Sequence, residues 1–437
     1  MFDKFYKKVF LLIFLVFLFQ SLIFSEEKIN YSIQLGFFDS QKTAEDYVKI
    51  VEDAGYSPLL VQQKYSWYHI YFGVFDYYVD ALLYKQNIPT EISEEPTIVN
   101  AWNVNWTEEK KSQPTKGILP SVFAISSTSA TEWQDYFLDT DSVYKKCEEF
   151  VNNSPASDEY GTYIEEQIKN CSETSPLYGY LLTRRGIYLL LKAQYDEAIK
   201  SLMPVCQGTI LARKLDRIKS MKRVAWVEHR KGNRVKAYQA YREIEGCSGS
   251  ELVKAQCRAE IAGLLLELSE CEKGSLKETR EYCQKIKQTW GNGCEKEFSI
   301  VSLVEIETYM KEIDYPMTLD YSKALVNFIN NKEDCRREWL VAMCYIGDAL
   351  VFTQKSDDAE YYYNSILATK DKGYEQFEAF DPYLGSELGL ARIARIRKDY
   401  EKAKSYYEDV IFKGAGKKEK NIAEIELKWL MESINNE

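Results

Sequence analysis

The sequence predicts a two-part chain: a small α/β module of order β-α-β-β-α-β, followed by an all-α array of helical repeats. Three observations predict it. Between Ile29 and Trp102, short runs of alternating polar and apolar residues flank two stretches of helical spacing. Residues 103–132 hold Pro114, Gly117 and Pro120 in a Ser/Thr/Lys-rich stretch, which is linker composition. From 133 to 437 apolar residues keep a helical period almost throughout, and small residues recur along it.

At 437 residues and 45% hydrophobic content, the chain can build more than one core. Its net charge of −11 speaks against a dedicated nucleic-acid binder, which needs a basic surface, so no nucleic-acid partner is expected. Ahead of the first module, Lys4, Lys7 and Lys8 precede the apolar run Val9 to Phe19, which is broken at Gln20 and Ser21 and resumes at Leu22 to Phe24. Polar Ser25, Glu26 and Glu27 follow. A basic start, a short apolar stretch and a small-residue turnover have the layout of a secretory signal over residues 1–25. Export to the periplasm is therefore expected. An uncleaved inner-membrane anchor is the alternative, although the run is short against the roughly 20 residues that span a bilayer. Membrane contact is expected only in that case.

In the first module, Tyr31, Ile33 and Leu35 point to one face of a strand while Ser32 and Gln34 point to the other. Asp39 or Ser40 can cap a helix from Gln41 to Ala54, where Ala44, Tyr47, Val48, Ile50 and Val51 keep helical spacing and Gly55 ends the run. Tyr56 to Gln63 and Trp67 to Phe75 read as strands joined by a tight turn. A second helix follows from Asp76 to about Lys85, and Thr97 to Trp102 reads as a closing strand. That order suggests one sheet with both helices on one face and the other face open. In the strand from Trp67, the residues Tyr68, Ile70 and Phe72 make the better core set, which turns Trp67, His69 and Tyr71 outward beside Gln34. Flat aromatics and an amide suit a sugar, whose ring has apolar C–H faces and hydroxyl edges.

Two segments carry a family resemblance. Tyr31-Ser32-Ile33-Gln34-Leu35-Gly36-Phe37-Phe38 and Trp67-Tyr68-His69-Ile70-Tyr71-Phe72-Gly73-Val74-Phe75 resemble the first and third strands of SPOR domains. The resemblance implies a fold with an open sheet face that binds glycan strands of peptidoglycan lacking stem peptides. Carried over by position, Gln34 and Trp67 would be glycan-binding residues, with Ser32, His69 and Tyr71 on the same face. Phe37 stands where the family has a small Ser at the glycan surface, and it either adds a stacking platform or fills the groove. Val74 replaces a Pro and reads as a turn variation.

Beyond residue 133, helix starts with small-residue centres recur at Tyr195–Ala198, Arg234–Ala237, Tyr321–Ala324, Ser356–Ala359 and Tyr400–Ala403. Each follows a longer apolar helix. This resembles tetratricopeptide repeats, with intervals irregular and longer than the standard period of about 34 residues. Gly186, Tyr195, Ala198, Gly389, Ala394, Tyr400 and Ala403 hold repeat-like positions. About six helix pairs are expected, with an irregular leading pair at Glu132 to Asn170 and a capping helix at Asn421 to Ser433. Such arrays take peptides or protein domains on a concave face. Tyr361, Tyr362, Tyr363, Tyr406 and Tyr407 either line it or pack between repeats.

Ten cysteines lie between Cys147 and Cys344, none as C-x-x-C, and the only histidines are His69 and His229. No metal or other cofactor is expected. Disulfides are expected of an exported chain, with Cys206 and Cys247, at the ends of second helices in adjacent repeats, as the candidate pair. Reduced, buried thiols are the alternative. No phosphate loop, nucleophile elbow or paired-histidine motif occurs, so no catalytic residue is assigned and the chain is read as no enzyme. The expectation is a periplasmic envelope adaptor in wall synthesis, division or assembly. It would bind peptidoglycan glycan strands through the module and unidentified envelope proteins through the repeats. A scaffold without glycan binding and a peptidoglycan hydrolase are the alternatives.

Overall fold

The computed structural model describes residues 30–101, 104, 106, 119, 121–123, 136, 138, 141–271, 275–290, 293–369, 380–415 and 417–436. The signal-like segment 1–25 and most of 103–132 lie outside the described residues. The chain divides into two compact units, Met1–Pro120 and Ser121–Glu437.

The first unit runs β1 (Tyr31–Phe38), α1 (Gln41–Asp53), β2 (Leu59–Lys64), β3 (Trp67–Phe75), α2 (Tyr78–Gln86), β4 (Thr97–Asn100). The strands form one antiparallel sheet in the order β2-β3-β1-β4. Its inner face supplies Ile33, Leu35, Ile70 and Phe72 to a core closed by Ala44 and Val51 of α1 and Ala81 and Tyr84 of α2. Burying each such large side chain contributes about 1.5–3 kcal/mol. Ser40 is the cap of α1, its hydroxyl accepting from the Thr43 N–H, a contact that typically contributes about 1 kcal/mol. The segment after α2 is tied down by Ser93 Oγ, which donates to Leu35 O at 2.6 Å, and by Tyr47 Oη, which donates to Ile92 O. Two bulges shift the β1–β3 register, one of them at Gly73, whose φ of 64° places it in the left-handed region. Val74 is therefore a strand residue just past a bulge, not part of a turn.

The second unit is a tetratricopeptide-like solenoid. An irregular leading pair, α3 (Ser142–Asn153) and α4 (Asp158–Asn170), precedes α5 (Pro176–Leu191) and α6 (Tyr195–Gln207). Then come α7 (Lys214–Arg230) with α8 (Arg234–Cys247), α9 (Glu251–Cys271) with α10 (Leu276–Lys287), and α11 (Glu295–Lys311) with α12 (Tyr315–Ile329). A 3₁₀ turn (Glu333–Cys335) leads to α13 (Arg336–Phe352) with α14 (Ser356–Leu367), then α15 (Pro382–Ile396) with α16 (Tyr400–Lys413), and α17 (Lys418–Asn436) closes the array. Each second helix packs on its own first helix and on the next one, and first helices touch at α9–α11, α11–α13 and α13–α15.

The repeat is physical before it is a sequence motif. Ala198, Ala237, Thr279, Thr318, Ala359 and Ala403 each occupy the fourth position of a second helix, and none is more than 1% exposed. A larger side chain there would hold the helices apart. The third full unit from the end corrects one expectation. Tyr321 lies inside α12, which begins at Tyr315 because the Asp314 carboxylate accepts from the Met317 N–H. Thr318 thus takes the small-residue place, and Ala324 is exposed.

The turn into the second helix is equally regular. Ala193, Gly232, Ile313, Gln354 and Lys398 all have φ between 57° and 81° and sit two residues before the helix. The next N–H then reaches back to Leu189, Glu228, Tyr309, Leu350 or Ala394 O at 2.8–2.9 Å. This reach-back satisfies carbonyls that the ending helix leaves open.

Tyr363 of α14 lies between Gly347 of α13 and Gly389 of α15, where an added Cβ would come within 2.5 and 2.2 Å of its ring. Its hydroxyl donates to Asp348 at 2.7 Å, Asp348 lies 3.6 Å from Arg392, and Arg392 bonds Glu426 at 2.7 Å. Tyr407 also donates to Glu426, at 3.0 Å.

The expected Cys206–Cys247 bridge is not formed. Nine cysteines are described as free, these two among them. Helix α7 packs between α6 and α8 and keeps the two thiols apart: Cys206 is fully buried beside Arg217 of α7, and Cys247 has Glu243 of its own helix as its charged neighbour.

Two substitutions test these constraints by thermal unfolding. Ile313 is 68% exposed in a left-handed conformation that a β-branched residue disfavours, so Ile313→Gly is expected to stabilise by about 1 kcal/mol. Gly389→Ala is expected to destabilise by about 1–3 kcal/mol through overpacking against Tyr363.

Candidate functional site

The outward face of the sheet follows from the register. Tyr71 pairs with Gln34 and Leu60, His69 with Phe37 and Gln62, and Trp67 with Lys64, while Ser32 and Gln34 pair with Val99 and Thr97 of β4. All six residues expected from the sequence therefore share one face, but the structure splits them into two groups.

One half is covered. Ala101, Val104 and Trp106 fold back from β4 and pack on Tyr71 and Val74, with Leu60 and Val99 beside them. Ala101 N–H donates to Asn30 O at 2.7 Å, and Trp106 N–H donates to Val104 O at 2.8 Å. Val104 and Trp106 thus belong to the module's packing, not to a free linker. Two expected contact residues are corrected here. Tyr71 keeps only 2% of its surface, and Ser32 is fully buried with its hydroxyl donating to Phe72 O at 3.3 Å.

The other half is open. Phe37 and Trp67 are 57% and 44% exposed and meet edge to face, ring centroids 5.4 Å apart. Phe37 also lies 5.9 Å from His69, which stacks at 13° on Tyr71. Gln34 is half-buried opposite Tyr71, at the border of the cover. The result is an aromatic ladder with one end sealed under Trp106 and the other in water. Exposed aromatic surface on a sheet is the signature of a ligand face. Burial, and then the Lys64 ammonium, lower the His69 pKa below the ordinary imidazole value. A neutral imidazole, flat rings and one amide favour an uncharged ligand with apolar faces and hydroxyl edges.

Tyr65 adds a residue that carries no motif signal. It tips the β2–β3 turn, is 99% exposed, and has a φ of 58°. An aromatic in the left-handed region is uncommon, and its adjacency to Trp67 was the available clue.

The tyrosine clusters of the repeats divide differently. Tyr363 and Tyr407 are fully buried, and Tyr362 and Tyr406 pack against core clusters. Tyr361 alone of the five is well exposed, at 69%.

Residues 27–99 match the family model of the SPOR domain, so the α/β unit with its aromatic face carries a SPOR domain. The matched segment lies within the first unit and leaves the solenoid outside it. No curated protein matches the chain. Among solved structures, a tetratricopeptide repeat protein from Parabacteroides merdae is 13% identical, covering 67% of this chain and 98% of its own at a TM-score of 0.46. PilF of Pseudomonas aeruginosa is 15% identical, with 57% and 97% covered and a TM-score of 0.39. NprR, solved in complex with its cognate peptide NprX, is 13% identical, with 66% and 83% covered and a TM-score of 0.43.

The His69 shift has a sign that can be tested. The folded state prefers the neutral ring, so the stability linked to it is present above the unfolded value of about 6.5 and is lost as pH falls through the lower folded value. An NMR titration, assigned by the signal missing in His69→Gln, is expected to give a midpoint below that of a free imidazole. A midpoint at or above it would contradict the burial argument.

Proposed function

We propose that the protein is a non-catalytic periplasmic adaptor. Its SPOR domain holds it to peptidoglycan glycan strands, and its helical repeats recruit envelope proteins in wall synthesis or division. The SPOR domain points to peptidoglycan binding and the tetratricopeptide-like repeats to protein interaction. The observation that carries the glycan reading is the exposed Phe37–Trp67 pair on the open half of the sheet, with His69 alongside. Phe37, in place of the family's small residue, enlarges the platform on which a sugar ring can rest. Tyr65 extends it toward solvent.

A second reading has its own observation. Trp106 covers half the face, and a scaffold that no longer binds glycan would tolerate such a cover. Sedimentation of the 26–120 fragment with purified sacculi, before and after amidase removal of stem peptides, separates the two. Pelleting that rises after amidase treatment is expected; no pelleting with either preparation leaves the scaffold.

Trp67→Ala and Phe37→Ala are each expected to weaken pelleting about tenfold, the scale of one lost aromatic contact. Tyr65→Gly is expected to weaken it while raising the melting temperature, because the left-handed turn no longer carries a Cβ. Unchanged binding in all three would place the ligand on another surface.

A further inference from the structure

First helices of four pairs border a recess of about 720 Å³ in the solenoid. Ala259 and Gly263 of α9, Ile300 and Val304 of α11, and Val341 of α13 give it an apolar lining. Its charges are sorted by depth. Glu297 and Glu338 are 7% and 1% exposed, whereas the neighbouring Lys296 and Arg337 reach into solvent. Long cations can extend to water along their stems, and a carboxylate on a short stem cannot.

Most other carboxylates around the recess are paired. Glu267 takes His229 and Arg234, and Glu270 and Glu307 share Lys311. Glu338 is different. Its Oε2 is buried without a hydrogen-bond partner, and its nearest cation, Arg337, is 4.0 Å from the other oxygen. Burial raises its pKa against the opposing pull of its own backbone N–H, Arg337 and Lys296, and Glu297 adds a smaller push upward. Glu260, on the same wall and still reached by water, is also raised by the protein around it. A carboxylate held this way gains most from a cation brought to it.

Gly263 is an independent observation. It sits inside the long helix α9, where glycine is unfavourable, yet a Cβ there would meet nothing within 4 Å. Packing within the chain gives no reason for it. Gly161, Gly347 and Gly389, by contrast, are each pressed by a tyrosine ring. Open space beside a bare helix backbone is what an incoming main chain requires.

We propose that this recess receives an extended peptide segment of a partner protein, its backbone passing Gly263 and an arginine or lysine side chain entering toward Glu338 and Glu297. This deepens the recruiting role proposed above and rests on it. The carboxylate pair favours the forked guanidinium, which can bond two acceptors at once.

The test overlays the full chain on an array of random-sequence dodecapeptides. Bound peptides are expected to be enriched in arginine and lysine. Gly263→Phe, which puts a ring into the open space beside the helix, and Glu338→Gln are each expected to cut that signal at least tenfold. Gly263→Ala is expected to raise the melting temperature, which shows that the glycine is not kept for packing. Binding without basic enrichment, or binding unchanged in Gly263→Phe, overturns the inference and leaves the recruiting role standing. An array on which nothing binds also overturns the inference, and leaves recruitment of folded domains standing.

Discussion

Close approach at residues with almost no side chain governs the second unit. Every second helix from α6 to α16 seats a buried alanine or threonine at its fourth position, and that seat sets how near the neighbouring helices lie. Tyr363 shows how narrow the tolerance is, with glycine backbone on both sides of one fully buried ring. Its hydroxyl then finds Asp348, so the buried polar atom introduced by the ring is satisfied where it lies. Burial raises the Asp348 pKa while Arg392 opposes the shift. Packing and charge are solved together at this joint, and the alternating turns with a left-handed residue deliver the next helix to the same seat.

The first unit obeys a different constraint. A four-stranded sheet with both helices on one side must leave its other side to water, to a ligand or to its own chain. Here the chain uses two of these options at once. Val104 and Trp106 close the half that contains Tyr71 and Val74, and Phe37 and Trp67 stay open. The cover has a cost, since the Trp106 indole N–H and His69 Nδ1 are buried with no hydrogen-bond partner among the described residues.

Much of this was legible in the sequence, because alternation and helical period are local properties. The succession of strands and helices along the chain, the Ser40 cap, the helix starts at Tyr195, Arg234, Ser356 and Tyr400, and the outward turn of Trp67 and His69 all follow from residues a few places apart. What escaped depends on contacts between distant residues. Nothing near Ser32 or Tyr71 announces that Trp106 will fold over them. The α12 start was misplaced because Tyr321–Ala324 repeats the local pattern, while the Asp314 cap that decides the matter lies earlier. The cysteine pair failed for a similar reason: being at the ends of successive second helices does not bring two thiols together when α7 stands between them.

The nearest-neighbour packing of the helices also sets how the solenoid loses structure. Among the described residues, the extensive contacts of each helix from α5 to α17 are with helices one or two places away. In such a chain cooperativity is a matter of how strongly each interface couples its neighbours. The buried ion pairs around Arg392 couple the last pairs tightly, whereas an end helix is held from one side only. Heat or mechanical load would therefore strip this protein in segments, with a different tolerance at each joint.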